Sequence, residues 1–187
     1  MTRAFIAVEL PEPLRQEAAA FGGELRRTNA DVKWVEAANL HLTLKFLGNT
    51  PEEQIPSLIG ALRQACAPVP SFTLSLEGIG AFPKTTYPRV IWVGVNEGKG
   101  PLTALAEKME EACAALGFPK EERPFSAHLT IGRVRSQEGI GRLVKALQVA
   151  EFKGTVPAPV SRLTLFQSTL GPRGSTYTPL ADLPLRT

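Results

Sequence analysis

The sequence has few of the groups that most catalytic chemistry depends on. Among 187 residues there are two histidines and two cysteines. Two cysteines cannot build a disulfide framework. Each lies in an alanine-rich helical pattern, Ala65-Cys66-Ala67 and Ala112-Cys113-Ala114-Ala115, and reads as a small buried thiol. CxxC and HxxxH spacings are missing, which disfavours a structural zinc site. There is no G-x-S-x-G elbow, no G-x-x-x-x-G-K-[ST] phosphate loop, and no carboxylate beside either histidine in the sequence. No apolar run approaches the length of a bilayer. The opening Met1–Glu9 stretch is too short, and too soon interrupted by Glu9 and Pro11, for a secretory signal. Cytoplasm is the expected compartment, with no membrane contact.

What is present fits a globular domain. Hydrophobic residues make up 43% and charged residues 21%, enough apolar material for a core without staples. Residues 1–187 are expected to form a single domain of two pseudo-symmetric lobes, with no separate linker. A net charge of +3 suits an anionic ligand without singling one out.

Both histidines open the same pattern, His41-Leu42-Thr43-Leu44 and His128-Leu129-Thr130-Ile131. At average composition a given histidine is followed by Leu-Thr roughly once in a few hundred cases. Two such coincidences indicate design. Each segment alternates with period two, so as a strand it shows His and Thr on one face and aliphatic side chains on the other. Lys45 would share the His41 face, as a solvated charge at its rim. Phe46 falls on the apolar face and reads as core. Strict alternation places Arg133 opposite His128, so that it reaches the same face only if the strand ends or bulges near Gly132.

Along the chain, period-two alternation predicts strands over 3–9, 32–35, 40–47, 72–79, 89–95, 126–134, 151–156, 160–170 and 176–180. Helical spacing predicts helices over 14–28, from Pro51 to about Cys66 with Thr50 as cap, over 102–116 and over 139–150. The 72–79 and 89–95 strands are expected to pair across a loop from Gly80 to Pro88. The histidines lie 87 positions apart (128 − 41) in halves of like order, as diverged copies would. Hairpin-like neighbours favour antiparallel pairing. The expected class is α+β: two antiparallel sheets, helices outside, and the motif strands facing one another across a central cleft.

Such a cleft narrows the chemistry. Two imidazoles, one neutral and one protonated, can take a proton from an attacking oxygen and give one to a leaving oxygen in the same displacement. Two threonine hydroxyls can donate to the non-bridging oxygens of a phosphate. This is phosphodiester chemistry, and it calls for no metal and no cofactor. A two-histidine metal site would need further ligands, and none stands at useful spacing. Pseudo-symmetry leaves open which imidazole is acid and which is base.

The paired motif resembles the duplicated H-x-T-x signature of the 2H phosphoesterase superfamily. Its flanks (3–8, 40–48, 126–134) and the closing Leu163–Ser168 segment with Tyr177 are similar to the RNA 2′,3′-cyclic phosphodiesterases, formerly called 2′-5′ RNA ligases. The resemblance implies hydrolysis of a 2′,3′-cyclic phosphate end of RNA to a 2′-phosphomonoester. It implies His41 as proton donor and His128 as proton acceptor, Thr43 and Thr130 as phosphate contacts, and Arg133 as a basic position after the second motif. Trp34, Phe46 and Tyr177 are the aromatic candidates for stacking an unpaired base. RNA is the expected partner, no protein partner is required, and a monomer suffices. Two alternatives remain open at this level: a 2′-5′ ligase or phosphodiesterase acting on tRNA halves or oligonucleotides, and a module that binds RNA ends without turning them over.

Overall fold

The computed structural model describes Met1–Thr187. Its strands are β1 (Thr2–Glu9), β2 (Val32–Trp34), β3 (His41–Thr50), β4 (Phe72–Leu74), β5 (Leu76–Lys84), β6 (Tyr87–Val95), β7 (His128–Val134), β8 (Ala158–Val160), β9 (Arg162–Gly171) and β10 (Gly174–Pro184). The helices are α1 (Glu12–Arg26), α2 (Ile55–Cys66), α3 (Lys99–Ala115) and α4 (Ile140–Val149). The fold is α+β. Two antiparallel four-stranded sheets have the orders β10-β9-β1-β3 and β2-β7-β6-β5, and β4 pairs with β8 in a third, two-stranded sheet.

One apolar cluster joins the sheets and all four helices. Leu14, Ala18 and Leu25 of α1, Leu58 and Leu62 of α2, Leu102, Leu105 and Met109 of α3, and Leu143 and Leu147 of α4 enter it at helical spacing. They meet Ile6 and Val8 of β1, Leu42 of β3, and Leu129 of β7. Cys66 and Cys113 are free and fully buried, and burial pushes both thiols up to about 11. No helix is long and apolar enough to cross a membrane.

Neither sheet belongs to one half of the sequence. The first takes β1 and β3 from the early half and β9 and β10 from the late one. The second takes β2, β5 and β6 from the early half and β7 from the late one.

Three element predictions are corrected. The 72–79 segment divides: Phe72–Leu74 pairs with β8, and the remainder becomes β5, which runs through the expected loop to Lys84. Pro83 and Gly80, which read as a loop, are tolerated because β5 is a sheet edge. Gly80 makes room for the Trp92 indole, whose ring a Cβ at that position would overlap. Thr50 is the last residue of β3, paired with Thr2, and its hydroxyl donates to Gly48 O at 3.3 Å instead of capping a helix. A 3-10 turn over Glu52–Gln54 leads into α2 instead. The 151–156 stretch is irregular. It hangs on the start of β5 through Gly78 N donating to Phe152 O and Gly154 N donating to Leu76 O.

Candidate active site

The motif strands owe their side-chain placement to a shared irregularity. In β3, Ile6 is opposite Lys45 and Ala7 opposite Thr43, so Leu44 is an extra residue. In β7, Ile91 is opposite Gly132 and Trp92 opposite Thr130, so Ile131 is extra. These are β-bulges at the same offset from each histidine, and each reverses the alternation beyond it. His41 and Thr43, and likewise His128 and Thr130, precede their bulge and share a face as the pattern predicts. Past the bulge the two faces exchange.

The inversion corrects two expectations and meets the condition set for a third residue. Lys45 is 2% exposed, not solvated; its Nζ lies 2.8 Å from Glu110 Oε1 and donates to Pro119 O at 3.0 Å. Phe46 is 58% exposed, not core. Arg133 turns to the His128 side. Phe46 and Arg133 stand at equal offsets from their histidines (46 − 41 = 133 − 128 = 5), so the bulge invoked for Arg133 applies equally to Phe46.

A cleft of about 800 Å³ runs between the two sheets. His41, Thr43, His128, Thr130 and Arg133 all line it, together with Phe46 and Tyr177. Trp34 does not. It packs toward Gly132 and Gly22, where a Cβ would come within 2.9 Å and 3.6 Å of its ring. Sequence reasoning passed over Arg3, Phe5, Phe82 and Arg123, which also line the cleft. Strand pairing would have pointed to Arg3, Phe5 and Phe82, whereas Arg123 lies in the irregular segment between α3 and β7, where no pattern marks it. The cleft carries one carboxylate, Glu121, against the guanidinium groups of Arg3, Arg123 and Arg133, none of which makes an ion pair.

Each imidazole is held by rings and by a backbone carbonyl two residues upstream. Phe5 stacks on His41 at 4.8 Å between centroids, and Tyr177 meets it edge-on at 4.9 Å. Phe82 meets His128 edge-on at 5.0 Å, with Trp92 at 6.3 Å. His128 Nδ1 lies 2.6 Å from Ser126 O, so Nδ1 is the protonated nitrogen and Nε2 is free for chemistry. His41 has the matching backbone bond, to Asn39.

This packing tunes both groups the same way. Burial lowers His41 to about 4, against the opposing effect of the Asn39 bond. Burial also lowers His128; the Ser126 bond opposes it, and the charge of Arg133 lowers it further. At neutral pH the empty cleft therefore presents two neutral imidazoles, and an anion entering it is what would favour protonating one of them. No group of three His, Cys, Asp or Glu side chains is placed to hold a metal ion.

Comparison with known proteins agrees with this geometry. The model of the family described as LigT like Phosphoesterase matches twice, over residues 8–92 and 93–177, as a duplicated chain should. Relatives include the RNA 2′,3′-cyclic phosphodiesterase of Methanothermobacter thermautotrophicus, 36% identical over 94% of this chain and 95% of its own. The protein of the same name from Archaeoglobus fulgidus is 37% identical over 94% and 96%. Among solved structures, TT0787 of Thermus thermophilus superposes with a TM-score of 0.82 at 30% identity, covering 98% of each chain. E. coli LigT complexed with 3′-AMP gives 0.81 at 28%, covering 100% of this chain and 99% of its own. The duplicated motif, the paired sheets and these likenesses place the chain in the LigT-like phosphoesterase family of the 2H superfamily, as a hydrolase of phosphodiester bonds.

Proposed function

We propose that this protein hydrolyses a 2′,3′-cyclic phosphate at an RNA end to a 2′-phosphomonoester, with two histidines as acid and base and without a metal ion. The observation that carries the reading is the convergence of His41, Thr43, His128, Thr130 and Arg133 on one cleft. The name shared by the relatives supplies the substrate class. In the reaction, a water oxygen attacks phosphorus as His128 Nε2 accepts its proton. The bond from phosphorus to the 3′ oxygen breaks, and His41 protonates that oxygen. Thr43, Thr130 and Arg133 donate hydrogen bonds to the non-bridging oxygens, where negative charge accumulates.

The local electrostatics fit this division of labour. Arg133 disfavours a proton on His128, which suits a base. His41 has no cationic neighbour acting on it, so the substrate phosphate is the charge that raises its proton affinity. The protonated form of His41 arises when the anion is bound, as a general acid requires.

The test is purified protein with EDTA acting on an RNA oligonucleotide that ends in a 2′,3′-cyclic phosphate, scoring which oxygen retains the phosphate. A 2′-phosphate is the expected product. His41→Ala and His128→Ala should each lower turnover by about 10²–10⁴-fold while the fold persists. Turnover that survives both replacements, or that EDTA abolishes, overturns the proposal.

A further inference from the structure

The first motif strand and its neighbour lay out three kinds of side chain in a line. Moving along β1 away from His41, Ala7 is opposite Thr43, Phe5 is opposite Phe46, and Arg3 is opposite Asn49. Arg3 and Phe5 lie two residues apart on one strand, and both line the cleft. Each two-residue step along β1 advances about 7 Å. The rows therefore run from a phosphate-binding hydroxyl, through an exposed phenyl ring resting on Phe5 (centroids 6.0 Å apart), to an exposed guanidinium with no acidic partner.

Phosphate, base, phosphate is the order of groups along a nucleotide chain. A large exposed aromatic in a basic groove is what single-stranded RNA uses for stacking. We infer that this row is a subsite for the RNA chain upstream of the reacting group: Phe46 stacks the terminal base, and Arg3 binds the phosphodiester on its 5′ side. The inference rests on the phosphodiesterase reading above and names the residue, Arg3, that makes a chain end a better substrate than an isolated nucleotide.

Three probes separate the contributions. They are adenosine 2′,3′-cyclic monophosphate, the same compound carrying a 5′-phosphate, and an adenylyl dinucleotide ending in the cyclic phosphate. For the wild-type protein kcat/KM should rise about tenfold from the first to the third, and the 5′-phosphate alone should recover most of that rise. Arg3→Gln should compress the ratio to within about threefold and reduce the slope of log KM against log salt by about 0.7 for the dinucleotide. Lys145→Gln, the same change of charge on the exposed face of α4, controls for net charge and should keep the full ratio. Phe46→Ala should raise KM for all three probes by about tenfold, with Phe46→Trp restoring it. Arg3 and Phe46 are both exposed, so neither replacement removes a core group.

A wild-type ratio near one, or an Arg3→Gln variant that keeps the ratio, overturns the subsite. A wild-type protein that turns over none of the three overturns the phosphodiesterase reading itself, and the subsite with it.

Discussion

His41 is half-buried among Phe5, Phe166 and Tyr177 in its neutral form, and that choice has two measurable consequences. The first concerns stability. In the unfolded chain the imidazole titrates near 6.5, and in the folded one near 4. Between those values the unfolded state binds more protons, so the contribution of His41 is complete above pH 6.5 and is lost as pH falls toward 4. Its size is at most about 3 kcal/mol. His41→Phe keeps a ring in the stack and removes the titration. Urea unfolding of the variant should change less between pH 6.5 and 4 than that of the wild-type protein, and equal slopes would refute the assignment. The second consequence concerns turnover. With both imidazoles lowered in the empty cleft, kcat/KM should follow a bell centred below pH 6.5. The profile of kcat should sit at higher pH, because bound phosphate raises both groups. A kcat/KM optimum above pH 7 contradicts the aromatic burial as its cause.

At the level of strands, the bulges decide what the cleft contains. The alternation of His and Thr is a local property of each motif and is legible directly. A bulge is a property of the pairing, because a residue is extra only relative to a partner strand that the sequence does not name. That is why Lys45 and Phe46 occupy each other's expected environments, and why the pattern places Arg133 only conditionally. The same limit explains β4 and β5: alternation through 72–79 marks extended chain, but not that Leu74 belongs beside Ala158 and Leu76 beside Val95. The helices match their expected spans to within a few residues because their apolar spacing is internal to each. Close packing around β6 gives a test. Gly80→Ala drives a Cβ into the Trp92 indole, which in turn lies near His128. We expect a loss of about 1–3 kcal/mol in denaturant unfolding and a fall in kcat, both from a displaced ring. An unaltered kcat would show that Trp92 does not hold His128.

At the scale of the whole molecule, the repeat in sequence is not a repeat of independent units. The family model matches residues 8–92 and 93–177 in turn, yet each four-stranded sheet is assembled from both halves. Strand β1 lies between β3 and β9, which come from opposite halves of the chain. Fragments 1–96 and 97–187 should therefore each lack defined tertiary structure when expressed alone, as judged by NMR dispersion. A folded, monomeric fragment would show that the exchanged strands are dispensable.

The interleaving also builds the surroundings of one imidazole from distant parts of the chain. Phe166 and Tyr177, two of the rings that enclose His41, are carried by β9 and β10, while Phe5, the third, comes from β1. Peeling β9 and β10 away from β1 would therefore let water reach that imidazole and return its proton affinity toward the ordinary histidine value.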